Sequence, residues 1–362
     1  MTSLRAFILE WTSVWLLLTG FAIGFVFGAL LQLTNFCTLG AISDWRLFGD
    51  KGRLGAVALA SATAILGAQT LDALGLAELS KSIYLMPRIT WLGAIGGGIL
   101  FGIGMVYAGG CPSRALVRAG GGDLRALVAL LVVAAAAFAT LSGILAPARM
   151  SFQNAFFIDI AGTGAANPGA VEVLRTLGVN PRYARLLAPA AVALPLLYFA
   201  FGPARVTART QNVMAGAGIG LLATLAWLAT SLASDDLTAN PVQPGSLSFV
   251  RPVADAIDWI ERSTALGLPS FAVASVFGVL LGSFAAALWR GSIAPLAFAD
   301  AASFQRHILG SAAMGVGGIL SFGCSIGQGI AGLSTLGIQS LIASASIFAG
   351  VILGLKRLER SV

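Results

Sequence analysis

With 362 residues, of which 57% are hydrophobic and only 10% charged, and a mean hydropathy of +0.88, the chain does not read as a water-soluble domain, where about a quarter of residues carry charge. Its long uncharged runs make it an all-α polytopic protein of the lipid bilayer, and its 45 glycines suit helices that approach closely in lipid. The net charge of +7 is scattered over the segments between those runs, which argues against nucleic acid as a partner.

Nine spans follow in chain order, at about 12–33, 54–74, 90–109, 124–145, 184–201, 212–232, 268–289, 307–322 and 336–355. Each is close to the roughly 20 residues that a helix needs to cross a bilayer. The first runs straight into a cysteine segment and is expected to be a retained span rather than a cleaved signal peptide. The eighth is the shortest, and a broken or tilted helix is expected there. Two long loops, about 146–183 and 233–267, are rich in Pro, Gly and Asn; the second carries the acidic pair Asp235–Asp236 and then an amphipathic stretch, Val253–Arg262.

Lys and Arg in short loops set the orientation of a membrane protein. One side holds Arg46, Lys51 and Arg53, then Arg114, Arg118 and Arg125, then Arg205 and Arg209, then Arg290 and Arg306, then Lys356, Arg357 and Arg360. The short segments of the other side hold Arg5, Lys81 and Arg88. This asymmetry predicts a periplasmic N-terminus and a cytoplasmic C-terminus.

Three cysteines punctuate the pattern, in Asn35-Phe-Cys37-Thr-Leu-Gly40, Gly109-Gly-Cys111-Pro-Ser-Arg114 and Phe322-Gly-Cys324-Ser-Ile-Gly-Gln328-Gly. Each follows an apolar, glycine-rich run. Pro112 suits the first position of a helix, where its missing N–H costs nothing, so Cys111 is expected at or just before a helix N-terminus. Such a place attracts anions and acidifies thiols. Counting back from the cysteines, Gly28, Gly102 and Gly315 lie nine residues before one, Gly104 and Gly317 seven, and Gly97 and Gly310 fourteen; Gly110 and Gly323 directly precede one. These offsets predict a duplicated unit. A fourth glycine-rich run, Met214–Gly220, lacks a cysteine and is the candidate partner of the first unit. By the span count the Cys111 and Cys324 units start from opposite sides, which predicts an inverted repeat with re-entrant half-helices near the bilayer midplane. The halves are about 1–183 and 184–362, within one transmembrane domain covering 1–362.

Several chemistries lack their residues. There is no CxxC, Walker A, H-E-x-x-H or G-x-S-x-G motif, and His307 is the one histidine. No enzymatic activity, metal or cofactor is therefore expected. The spans hold few carboxylates, Asp72 being an exception, so a buried proton relay has little material. Cys111 reads either as a small buried hydrophobe or as a soft sulfur lining a passage. Arg114 and Arg118 read either as topology signals or as anion attractors at the cytoplasmic mouth. Asn35 and Gln328 lie near cysteines and either bond backbone or line the same passage. Trp227, Thr230 and Ser231 read as packing or capping residues, and His307 as interfacial. The candidate translocation residues are Cys37, Cys111 and Cys324, with Gly110, Gly323, Pro112 and Gln328.

On these residues the chain resembles the YeeE/YedE family of sulfur-compound transporters. The resemblance implies import of thiosulfate across the bacterial inner membrane. It implies an hourglass of about nine transmembrane helices plus short re-entrant helices, with three cysteines, here Cys37, Cys111 and Cys324, lining the constriction and meeting the ion in turn. It also implies a small TusA-like sulfur-carrier protein on the cytoplasmic side. The two long loops depart from a compact member. A membrane thiol or persulfide-handling protein acting with such a carrier is the alternative, and the absent CxxC weighs against it.

Overall fold

The computed structural model describes residues 8–160, 167–234, 242–298 and 300–360. The chain is helical almost throughout, an all-α polytopic membrane protein. Its long helices are α1 (Thr12–Thr34), α3 (Gly52–Ala73), α4 (Trp91–Ala108), α6 (Leu124–Leu141), α9 (Pro181–Phe201), α10 (Thr210–Leu232), α12 (Phe271–Trp289), α13 (Ala301–Leu320) and α15 (Ile338–Glu359). Short helices α2 (Thr38–Phe48), α5 (Pro112–Gly120) and α14 (residues 325–334) follow α1, α4 and α13. The loop after α6 contains α7 (Ala146–Ala155) and α8 (Ala170–Thr176), and the loop after α10 contains α11 (Val250–Leu266).

Among the described residues, eight segments are long and apolar enough to cross a membrane, two of them joining α1 to α2 and α4 to α5. The remaining long helix, α13, is less apolar because Gln305, Arg306 and His307 occupy its first half. It is not broken. It begins at Ala301, where the Asp300 carboxylate accepts the Ser303 N–H at 2.6 Å, and continues for 20 residues. This aspartate cap, absent from a reading based on hydropathy, explains why the helix starts earlier than its apolar core.

The amphipathic stretch of the second long loop is the middle of α11. Asp235, Asp236 and Arg5 lie outside the described residues. In the first long loop, β2 (Ile158–Asp159) pairs antiparallel with β1 (Arg88–Ile89). Further along, Ala170 donates to the Leu336 carbonyl and Ile338 to that of Pro168, at 3.0 and 3.1 Å.

Helix α4 crosses α13 through glycine. A Cβ added to Gly97 would lie 2.8 Å from the Gly317 carbonyl oxygen, and one added to Gly104 would lie 2.6 Å from that of Gly310. These are the residues seven and fourteen positions before Cys111 and Cys324, and they meet in exchange, seven against fourteen at both points. Gly102 faces α15 beside Gly350 and Val351, and Gly315 faces α6 at the Val133 carbonyl. Helix α1 packs on α12, with Gly24 against Ser275 and Gly28 against Val279, while Gly216 and Gly220 of α10 pack on Ala56 and Ala60 of α3. The small residues bring helix backbones into direct contact, as packing in lipid requires. Arg46, near the end of α2, forms a two-point ion pair with Glu359 at the end of α15, at 3.0 and 2.8 Å. Both termini of these helices therefore share one end of the molecule, as the Lys/Arg pattern expects for Arg46 and Arg360.

Candidate functional site

Each cysteine stands between the end of a long helix and the start of a short one. Two residues before it the backbone turns left-handed, at Asn35 (φ 53°), Gly109 (φ 70°) and Phe322 (φ 58°). Glycine accepts this conformation freely and asparagine tolerates it. A phenylalanine there is a strained exception. The left-handed residue stops the long helix, and the cysteine then takes the N-cap position of the next one. Cys37 and Cys111 are both extended caps, with φ −159° and −79°, and Pro112 occupies the first turn of α5.

A helix N-cap normally supplies an oxygen for the unpaired N–H groups of the first turn. Here sulfur does so at two tips: Cys37 Sγ accepts from the Gly40 N–H at 3.4 Å and Cys324 Sγ from the Gly327 N–H at 3.2 Å. The N–H groups of Ile326 and Phe249 also face Cys324, the latter from the start of α11. With the lone pairs engaged by the backbone, each S–H remains available as a donor. Cys111 differs. Its sulfur lies 3.0 Å from the Ser113 hydroxyl and caps no N–H.

The three tips converge. Cys111 lies within electrostatic range of both Cys37 and Cys324. All three cysteines are free thiols; Cys324 and Cys111 are 0% and 2% exposed, and Cys37 is half-buried. Arg53 and Arg114 lie within electrostatic range of Cys37, Arg114 also of Cys111, and Tyr84 within range of Cys324. The arginines thus neighbour Cys37 and Cys111, and the tyrosine neighbours Cys324. The Tyr84 ring is buried edge-on to Trp227. Its hydroxyl, with that of Ser248, borders Gly327, where an added Cβ would lie 2.6 Å from Ser248 Oγ and 3.5 Å from Tyr84 Oη.

The remaining candidates support the tips. Gln328 is 1% exposed, and its Nε2 donates to the Ser321 carbonyl at 2.5 Å, tying the start of α14 to the end of α13. Its Oε1 is buried without a partner, as are the hydroxyls of Ser325, Ser340 and Ser344. Gly323 lies against the Gln328 side chain, and Gly110 against that of Arg114. Helix α14 is wound as a π-helix over Gly327–Gly332, a rare form frequent at functional sites. A cavity of about 240 Å³ lies beside Thr38, Ser325 and Ser344, at the first turns of α2 and α14.

On the arginine side, Arg53 bonds the Asn35 carbonyl at 2.7 Å and Asp44 at 3.0 Å. Arg118 bonds the Gly109 carbonyl at 3.1 Å and Asp123 at 2.6 Å. Both therefore clamp a left-handed tip. Burial alone would raise the Asp123 carboxyl, but hydrogen bonds from Arg125 and Arg118 outweigh it and hold the group below the ordinary carboxylate range.

Trp227 is fully buried and donates to Ser334 Oγ at 2.9 Å, and Thr230 accepts from the Gly245 N–H at 3.1 Å. These two are packing and tying residues. His307 is 8% exposed; its Nε2 lies 3.1 Å from the Arg125 carbonyl, with Phe298 edge-on. Arg53, Asp44, Tyr84 and Ser248 escaped the sequence reading, since no spacing joins them to the cysteines they surround.

Comparison with known proteins adds the following. The model of a family described as sulphur transport matches residues 33–353. A protein named thiosulfate transporter TsuA from Spirochaeta thermophila is 24% identical over 345 residues, which cover 92% of this chain and 96% of that one. Another of that name from Escherichia coli is 25% identical over 350 residues, 93% of each chain. A protein named probable transporter YedE from Salmonella typhimurium is 33% identical over 98 residues, 26% of this chain and 22% of that one.

Proposed function

We propose that this chain, which belongs to the sulphur-transport (YeeE/YedE) family, imports thiosulfate or a closely related sulfur compound across the bacterial inner membrane, past Cys37, Cys111 and Cys324. The observation that carries this reading is the convergence of three cysteine-capped helix tips in one neighbourhood. Full-length relatives named thiosulfate transporters support the substrate.

The chemistry follows from the tips. A dianion does not enter hydrocarbon bare. Helix N-termini offer N–H donors without a fixed charge, so binding stays weak enough for release. A thiol whose sulfur already accepts a backbone N–H presents its proton outward, to the terminal sulfur of thiosulfate. Cys37 and Cys324 are such donors, and Cys111, whose sulfur caps no N–H, links them, so that three thiols in succession replace water stepwise. The reciprocal glycine crossing of α4 and α13 supports an inverted repeat, in which the tips enter from opposite sides and meet near the midplane. The Lys/Arg asymmetry supports a cytoplasmic location for the arginine side of the site, where a TusA-like carrier would collect the product.

The test is growth of a thiosulfate-uptake-deficient bacterium on thiosulfate as sole sulfur source. The gene should restore growth; a well-expressed protein that does not restore it refutes the reading.

A further inference from the structure

Three guanidinium groups crowd the inner side of the tips. Arg53 and Arg118 lie within electrostatic range of Arg114, as do the thiols of Cys37 and Cys111. Their obligations differ. Arg53 has Asp44 and the Asn35 carbonyl, and Arg118 has Asp123 and the Gly109 carbonyl. Asp123 is shared with Arg125. Arg114 has one bond, from Nη2 to the Asn35 side-chain oxygen at 3.1 Å. Its Nη1 is buried and has no hydrogen-bond partner.

A buried cationic donor left unpaired is costly, and two neighbouring guanidinium groups raise that cost. The arrangement is stable when an anion accepts the idle N–H groups. Guanidinium is suited to this, since its planar fork matches two oxygens of a tetrahedral oxyanion. The position also fits the substrate's shape. The thiols of Cys37 and Cys111 lie within electrostatic range of the same guanidinium, close enough to meet the terminal sulfur of an oxyanion whose oxygens are held at Nη1.

We propose that Arg114 is the inner anion-binding station of the passage, taking the oxygen end of a dianionic sulfur oxyanion at Nη1, while Arg53 and Arg118 are positioning residues that fix the tips around it. The identity of the anion as thiosulfate rests on the function proposed above. The station makes the two ends of the site unlike: neutral hydroxyls of Tyr84 and Ser248 beside Cys324, and an uncompensated cation beside Cys37. An arriving dianion is drawn along this gradient.

The experiment uses the purified full chain in detergent and in proteoliposomes. Thiosulfate should raise the melting temperature of the wild type. In Arg114→Gln this shift should need at least ten times more thiosulfate, and KM for uptake should rise by a similar factor. Arg114→Lys, which keeps the charge but loses the fork, should fall between, and Arg290→Gln, an exposed arginine away from the tips, should match the wild type. Gel filtration of Arg114→Lys guards against misfolding of the glutamine variant. A wild-type shift and KM in Arg114→Gln, or no thiosulfate-dependent shift in the wild type, overturns the proposal. If the wild type binds thiosulfate through Arg114 but liposomes accumulate none, the station stands and the transport reading falls. If the wild type transports and Arg114→Gln equals it, the station alone falls.

Discussion

Gly97 and Gly317 touch backbone to backbone: a Cβ on the first would lie 2.8 Å from the carbonyl oxygen of the second, and a Cβ on the second 2.6 Å from that of the first. Gly104 and Gly310 repeat the contact with the two distances exchanged. Each glycine of the two pairs thus stands directly against the main chain of the opposite helix. The neighbours are main-chain atoms, which cannot swing aside as a side chain can.

Replacing Gly317 by alanine should therefore force α4 and α13 apart. Overpacking of this kind costs about 1–3 kcal/mol. The variant should show a lower melting temperature in detergent and a smaller amount in the membrane fraction. Gly96 of α4, the partner helix, has nothing near its Cβ position, so Gly96→Ala should be close to neutral. Equal stability of the two variants would remove the crossing from the list of stabilising features.

Cys111→Ala should abolish thiosulfate-dependent growth at normal protein abundance. The cavity left is little more than one sulfur atom, so the stability cost is small. Cys111→Ser keeps a hydroxyl beside Ser113 but loses the soft sulfur, and should be nearly inactive. Substitutions of Cys37 and Cys324 should also be harmful. Wild-type growth from Cys111→Ala would return this thiol to the role of a buried small hydrophobe.

No pair of the three cysteines should form a disulfide, because each stands at the N-cap position of its own helix and the proposed passage uses S–H donors. Thiol labelling of the unfolded chain, purified without reductant, should count three thiols. A count of one would contradict both the caps and the passage.

Asp123 gives a pH signature. Its folded pKa lies below the ordinary value, so its bonds to Arg118 and Arg125 stabilise the fold fully above the unfolded carboxylate pKa of about 3.9. The contribution is lost as pH falls through the still lower folded value. The melting-temperature gap between wild type and Asp123→Asn should thus be level from neutral pH to about 5 and close only in stronger acid. Closure already at pH 6 would assign the gap to another group.

The long helices were legible because each carries an uninterrupted apolar run, and the glycine offsets were legible because a close helix crossing selects the smallest residue at a fixed register. Pro112 likewise announced the start of α5. The clamps were not legible. Arg53 reaches the Asn35 carbonyl 18 residues away, and Asp44 is an ordinary charged loop residue until α2 turns back. Phe322 (φ 58°) could not be read as left-handed, since its side chain disfavours that region. Tyr84 and Ser248 come from segments far from any cysteine in sequence.

The first long loop is longer than a compact member needs, yet its residues 168–170 are stitched to the turn 336–338 at the far end of α14, through Gly169 opposite Gly337 and the hydrogen bonds on either side. The Tyr84 carbonyl closes on the same Gly337, while the Tyr84 hydroxyl reaches Gly327 near the front of that helix. Helix α14 is thereby moored at both ends by segments more than 150 residues before it in the sequence. Trimming the loop to the length of a simple connector would cut one mooring, and the tip that carries Cys324 would lose its alignment without a single cysteine being touched.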